Sequence, residues 1–275
     1  MQNKLNIAFI GGGNMANALI GGLLKSLTSA EHIHVVDLNQ QSLQKLRADF
    51  GVSTALAIDS KLAEMDAIIL AVKPQQLREV ITSLAPHLGQ QLLISIAAGI
   101  RAVDMARWLN GYEKIVRTMP NTPALIGQGM TGLFALPAVT DSQKQMAEQI
   151  MQAVGATTWL TDESLIDAVT AVSGSGPAYV FYFIEAMQQA ATELGLTAEQ
   201  GLQLAMTTFN GATQLAMQSA EPVATLRERV TSKGGTTYAA LTSMEAAGVR
   251  QAIVDAVKAA AARGKELGDE FGQQA

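Results

Sequence analysis

Residues 7–20 read Ile-Ala-Phe-Ile-Gly-Gly-Gly-Asn-Met-Ala-Asn-Ala-Leu-Ile: an apolar run, a glycine turn and a helix-like pattern, in that order. The run at 7–10 has the apolar, β-branched character of a strand buried on both faces of a parallel sheet. Gly11 and Gly13, with Ala16 in the last place, make a G-x-G-x-x-A spacing. In that spacing the first glycine permits a tight turn. The second lets a pyrophosphate approach the backbone, and a small third residue lets the helix pack close to the strand. The helix expected over Met15–Leu27 then offers unpaired N–H groups and a partial positive charge to phosphate. A purely structural strand–turn–helix corner is the plainer reading of a glycine turn. Strand, turn and helix in the right order favour a dinucleotide site.

Outward from this corner, strand-like and helix-like segments alternate through the first 160 or so residues. Strands are expected at Asn6–Ile10, Ile33–Asp37, Ala67–Val72, Leu92–Ala97, Ile115–Thr118, Gly132–Ala135 and Ala156–Leu160. Helices are expected at Met15–Leu27, Gln40–Phe50, Gln75–Ala85, Val103–Trp108 and Asp141–Ala153. Such alternation predicts an α/β fold, a Rossmann doubly wound parallel sheet. After Thr161 strand signals vanish. Ala-, Leu- and Met-rich stretches predict helices at Glu163–Val172, Ala178–Glu193, Ala198–Gln218, Val223–Val230, Thr237–Ala246 and Arg250–Leu267. The chain is thus expected to hold a dinucleotide-binding domain at 1–161 and an all-α C-terminal domain at 162–275.

Composition limits what the chain can do. It has 275 residues, 48% of them hydrophobic and 16% charged, with a net charge of −5 and no cysteine. Without a basic stripe to neutralise phosphates, nucleic acid is not an expected partner. Without cysteine there are no disulfides, no thiolate catalysis and no Cys-ligated metal. The expected first strand leaves no room for a signal peptide, and the apolar stretch Ala178–Ile184 is too short to span a bilayer. No membrane is expected, and the chain reads as cytoplasmic. The twelve Met residues fall mostly at helical core spacings. His32, His34 and His87 are scattered and read as structural or surface residues, so no metal site is expected.

Several segments sit at expected strand ends, where ligands bind in an open parallel sheet. They are Ala71-Val72-Lys73-Pro74, Ile96-Ala97-Ala98-Gly99 and Met119-Pro120-Asn121-Thr122-Pro123. Small residues there let a flat nicotinamide ring lie against backbone, although Pro and Gly also end strands for ordinary reasons. Lys73 can reach a phosphate or ribose, or simply be solvated. Asp37 ends the second strand, where a carboxylate bonds an adenosine 2′-hydroxyl and repels a 2′-phosphate. Taken alone it favours NAD(H) over NADP(H).

From Gln145 to Leu226 there is no Lys, Arg or His. A helix-borne lysine acid or base is therefore missing, which argues against a 3-hydroxyacid dehydrogenase of similar build. The next feature is Thr231-Ser232-Lys233-Gly234-Gly235-Thr236-Thr237 at a helix start. Its backbone N–H groups can converge on a small carboxylate, or its threonines can serve as an N-cap. Ser173-Gly174-Ser175-Gly176-Pro177-Ala178-Tyr179 breaks a helical region, as a kink or as a close approach to a cofactor or substrate ring.

These motifs carry a resemblance. The chain resembles the pyrroline-5-carboxylate reductases through Phe9 to Ala16, Ala71 to Pro74, Ser95 to Gly99, Met119 to Pro123, Ser173 to Tyr179 and Ser232 to Thr237, in family order and at family spacing. The resemblance implies hydride transfer from a reduced nicotinamide to a five-membered cyclic imine, giving L-proline. It implies NADP(H) as cofactor, with NAD(H) kept open by Asp37. The cofactor-binding residues would be Gly11, Gly13, Asn14, Met15, Asp37, Ala71, Val72, Lys73, Pro74, Ala97, Ala98, Gly99 and Asn121. The substrate carboxylate would meet Ser232, Gly234, Gly235, Thr236 and Thr237, with Thr237 also bonded to the ring nitrogen as the catalytic residue. The helical domain would interleave with a partner subunit as a homodimer, with the site at the dimer interface, and dimers could assemble into a decamer. A regulator that binds the nucleotide without turnover is the alternative from another class.

Overall fold

The computed structural model describes residues 4–273. In chain order it contains β1 (Ile7–Ile10), α1 (Asn14–Ser26), β2 (Ile33–Val36), α2 (Gln40–Phe50), β3 (Ser53–Ala55), β4 (Ala67–Leu70), α3 (Pro74–Leu84), β5 (Leu92–Ser95), α4 (Ala102–Trp108), β6 (Ile115–Met119), β7 (Gly129–Ala135), α5 (Asp141–Gln152), β8 (Gly155–Trp159) and α6 (Leu165–Val169). Then follow α7 (Gly176–Glu193), α8 (Ala198–Gln218), α9 (Val223–Arg229), α10 (Thr236–Ala246) and α11 (Val249–Gln273). The chain divides into two compact units. The first holds the residues up to Ser175 together with those from Ala260 on, and the second holds Gly176–Ala259.

In the first unit eight strands form one sheet in the order β3-β2-β1-β4-β5-β6-β7-β8. β1, β2, β4 and β5 are buried along their whole length, so apart from His34 and Ser95 their residues are apolar without alternation. One core cluster packs α1, α2 and α5 on one face through Leu19, Ile20, Leu23, Leu43, Leu46 and Ile150. A second packs α3 and α4 on the other face through Leu77, Ile81, Leu84 and Met105. The sheet reverses its strand order between β1 and β4, the place where doubly wound folds bind ligands.

The structure corrects the expected sheet in three ways. β7 is antiparallel to β6, and β8 is parallel to β7, so the last two strands run against the rest. Residues 120–128 are too short a link for a parallel crossover, which takes about a dozen residues or more; α5 supplies that crossover between β7 and β8. Second, β3 was not expected. It has three residues, none fully buried, and shows no hydrophobic pattern. Third, β2, β4 and β5 end at Val36, Leu70 and Ser95, one or two residues early, and the residues beyond form the turns of the site. β7 and β8 begin at a glycine pair instead: a Cβ on Gly155 would lie 2.0 Å from the Gly129 oxygen.

The helix expected over Glu163–Val172 begins at Leu165 and passes at Thr170 into a π turn that ends at Gly174. The Ser175 N–H donates to the Thr170 oxygen over 2.8 Å. A Cβ on Gly174 would meet the Met119 methyl at 2.6 Å, so the glycine admits β6's end against this turn. The Gly-Ser-Gly-Pro segment thus re-forms helix at once as a π bulge.

The second unit is helical. α7 and α8 pair as a hairpin, with Gly201 closing on Ala191 and the Gln188 backbone. Thr197 and Gln200 form a capping box at the start of α8. Among the described residues no helix is long and apolar enough to cross a membrane.

Candidate active site

The glycine turn follows β1 at the switch point. Gly11 has φ +103°, and a Cβ there would lie 2.5 Å from the Ala71 oxygen, so only glycine fits. Its N–H donates to the Val36 oxygen over 2.8 Å. Gly13 precedes α1 in extended conformation, and no side chain caps the helix start. Nothing lies within 4 Å of where a Gly13 Cβ would stand. The first N–H groups of α1, from Asn14 and Met15 on, therefore face an open cradle with no partner from the helix itself. Ala16 is buried beneath it. An open, anion-seeking cradle over a glycine fits the pyrophosphate of a dinucleotide.

Asp37 stands at the end of β2, half-buried. Its Oδ2 accepts from the Gly12 N–H at 2.6 Å and its Oδ1 from the Asn39 N–H at 2.7 Å. The carboxylate therefore ties the glycine turn to the β2–α2 turn. The Asn39 side chain in turn accepts from the N–H groups of Gln41 and Ser42 and caps α2. Sequence reading placed Asp37 at a ribose and did not see the Gly12 contact, which has no local signal.

Ala71 and Val72 underlie the turn: the Ala71 N–H donates to the Ile10 oxygen over 2.8 Å. Val72 Cγ1 would be 3.1 Å from a Gly11 Cβ. Lys73 is exposed and precedes α3, whose first residue is Pro74. After β5, the buried Ala97 donates its N–H to Ser95 Oγ over 3.3 Å. Gly99 follows at φ +75°. After β6, the Asn121 amide donates to the Ser173 oxygen and hydroxyl over 3.2 and 3.3 Å and accepts from the Met130 N–H over 2.9 Å. Its side chain thus holds β7's start against the π turn. The segments at Gly11, Asp37, Ala71, Ala97 and Asn121 leave five neighbouring strands at one sheet edge.

Beneath this edge lies a buried ion cluster. Arg117 on β6 is 3% exposed, with Nη1 3.1 Å from Glu163 and Nη2 3.8 Å from Asp167. Glu163 also accepts from the Ala102 N–H at 2.6 Å.

The other segment singled out from the sequence lies in the second unit. Gly234 has φ +75°, and the Gly235 N–H closes a turn onto the Ser232 oxygen over 3.0 Å. A Cβ on Gly235 would stand 2.5 Å from the Ser232 hydroxyl. Gly235 is the residue before α10, and no side chain caps that helix. Thr236 and Thr237 are its first residues, with Thr237 half-buried and Ser232 exposed. The threonines do not act as the cap, and the first-turn N–H groups have no acceptor within the helix. That leaves a small concave patch of backbone donors.

A glycine cradle at the switch point of a doubly wound sheet, followed by a helical unit, defines a nicotinamide-dependent oxidoreductase. Residues 163–267 match the family model for pyrroline-5-carboxylate reductase dimerisation, and residues 6–99 match that of the coenzyme F420-dependent NADP oxidoreductases. The chain is 44% identical over 268 residues to the pyrroline-5-carboxylate reductase of Pseudomonas aeruginosa, across 97% of this chain and 98% of that one. It is 42% identical over 269 residues to that of Haemophilus influenzae, with the same coverage. The solved structure of a pyrroline-5-carboxylate reductase from Coxiella burnetii matches with a TM-score of 0.91 at 40% identity, over 96% of this chain and 99% of that one. That of Plasmodium falciparum, with NADP bound, matches with a TM-score of 0.85 at 29% identity, over 98% and 99%. The chain belongs to the pyrroline-5-carboxylate reductase family.

Proposed function

We infer that this chain is an oxidoreductase acting on a C=N bond, using NAD(P)H to reduce 1-pyrroline-5-carboxylate to L-proline in proline biosynthesis. The observation that carries this reading is likeness to reductases of that name along 97% of the chain, with an open cradle at Gly13 where the fold binds a dinucleotide. NADP(H) is the proposed cofactor, supported by the Plasmodium relative that holds NADP. In this reading the N–H groups at Gly13, Asn14 and Met15 take the pyrophosphate, over the turn that Gly11 makes possible. Asp37 borders the ribose, while Ala71 to Pro74, Ala97 to Gly99 and Asn121 line the rest of the cofactor site. When bound, the reduced nicotinamide supplies a hydride to the imine carbon.

Backbone donors at Gly234, Gly235, Thr236 and Thr237, with the Ser232 hydroxyl, take the substrate carboxylate. The Thr237 hydroxyl bonds the ring nitrogen. A cyclic imine is basic enough to arrive partly protonated, so a hydroxyl and fixed donors suffice where a lysine or histidine is missing. The functional division proposed is 1–161 for cofactor and 162–275 for substrate and dimerisation. The dimerisation family match from residue 163 supports it, although the compact units part at Ser175. A homodimer is the proposed unit, a decamer its larger assembly, and the cytoplasm its place of work.

The test is a cofactor-oxidation assay with pyrroline-5-carboxylate, run with NADPH and NADH in parallel on the wild type and Thr237→Ala. The wild type is expected to turn over, with the higher kcat/KM for NADPH. Losing one hydrogen bond at a buried polar centre costs about 1–3 kcal/mol, so the variant should lose about 5- to 150-fold in kcat/KM at near-normal cofactor affinity. Cofactor binding without turnover of the imine would sink the assignment, and an unchanged Thr237→Ala would remove Thr237 from the site.

A further inference from the structure

The last turns of α11 carry Gly264, Gly268 and Gly272, one every four residues. Glycine inside a helix is disfavoured relative to alanine, so three on one face call for a packing reason. These residues belong to the first unit, and the reason is visible there. A Cβ on Gly268 would lie 3.1 Å from Arg101 Nη2, and one on Gly272 would lie 2.7 Å from Asp104 Oδ2. The bare helix face lets charged side chains of the β5–α4 region lie flat against it. Arg101 then pairs with Asp269 at 2.5 Å, and Arg107 donates to the Gly272 oxygen over 2.6 Å. The Asp269 contact holds the Arg101 guanidinium more firmly protonated than usual.

The neighbouring face of the same turns covers the loop after β5. Leu267 and Phe271 come within 3.2 and 3.3 Å of where a Gly99 Cβ would stand, and Phe271 packs on the core cluster under α3 and α4. Ala97, Ala98 and Gly99 have no side chain long enough to anchor their own loop. Beside the local Ala97–Ser95 hydrogen bond, it is held from outside, by an aromatic ring on Gly99 and an ion pair at Arg101. The family match stops at residue 267, one residue short of the segment that makes these polar contacts.

We propose that the Leu267–Gln273 end of α11 is a positioning brace for the cofactor loop Ala97–Gly99, acting through Phe271 on Gly99 and Asp269 on Arg101. The proposal rests on the reading above that this loop lines the cofactor site. A loop held in one shape binds the cofactor without first being ordered, and small displacements there degrade the approach of the reacting atoms.

The test uses Phe271→Ala, Asp269→Asn and Asp269→Glu in the full-length chain, with Ala98→Val as a direct probe of the loop. Phe271→Ala and Asp269→Asn are expected to raise the KM for reduced cofactor by about ten-fold and to leave the KM for the imine within about two-fold. Asp269→Glu, which keeps the ion pair, should recover most of the loss. Ala98→Val should raise the cofactor KM as well. If Ala98→Val raises it while the tail variants only lower the melting temperature, the brace is refuted and the cofactor loop stands. If no variant moves the cofactor KM, the loop reading fails and the brace with it.

Discussion

Asp37 stands at the end of β2 with both carboxylate oxygens engaged. In the sequence it is an acid at a strand end, which predicts a ribose contact and hostility to a 2′-phosphate. In the structure its oxygens accept from the Gly12 and Asn39 N–H groups, so the same charge also braces the glycine turn. Replacing it by serine removes one negative charge from the end of β2, where the proposed site holds the ribose. The ratio of kcat/KM for NADPH over that for NADH should rise several-fold, about 1 kcal/mol, and the shift should shrink as salt is added. Both cofactor KM values should rise too, because Gly12 loses its acceptor. Steady-state kinetics with both cofactors at low and high salt decide it. Raised KM values with an unmoved ratio would assign Asp37 to bracing the turn alone.

At the scale of elements, the sheet's far edge carries a pH dependence. His34 on β2 is buried, with Nδ1 3.0 Å from the β3 hydroxyl of Ser53 and Nε2 3.3 Å from Asp59 Oδ2. Burial lowers its pKa from 6.5, the Asp59 charge opposes that shift, and Lys61 adds to it. The unfolded chain therefore takes up the proton more readily than the folded one. Stability is full above about pH 6.5, falls as pH drops through that value toward the lower folded pKa, and levels off below it. Melting curves between about pH 5 and 8 should show this loss, and His34→Asn should flatten it. An identical pH slope in the variant would place the acid sensitivity elsewhere. The strand that meets His34 was itself illegible, because three small, half-buried residues, two of them polar, carry no period-2 signal. The ion cluster at Arg117 was illegible for another reason: a lone arginine in a strand sequence reads as a surface position until Glu163 and Asp167 are folded against it.

At the scale of the molecule, the second unit exposes Phe181, Tyr182, Leu215, Met217 and Val230, each at least 60% accessible. Apolar surface of that extent on a helical unit calls for a partner, and a second copy of the chain is the partner that the dimerisation family match supports. Sedimentation of the full-length chain at low micromolar concentration should show a dimer or a larger assembly. A folded monomer under those conditions would contradict this. Replacing Phe181 and Tyr182 together by polar residues should push the assembly toward smaller species.

What the amino-acid sequence determined by itself is the part governed by local rules. The glycine turn at 11–13 is legible because its first position, at φ +103°, is one that only glycine takes without strain, and α2 and α8 fall on their expected bounds because period and capping residues agree. The Thr231–Thr237 segment was legible as a helix start, but whether its threonines cap the helix or leave its donors open was left to the fold, which caps it with no side chain. The tertiary structure alone decided the reversed direction of β7 and β8, the partners of Asp37 and Asn121, the burial of His34 and the docking of α11 on Gly99. Each depends on groups brought together from distant parts of the chain, and Arg101 and Asp269 stand 168 residues apart. No local period encodes such a pairing; it exists only once the sheet has set its edge and the last helix has returned to it.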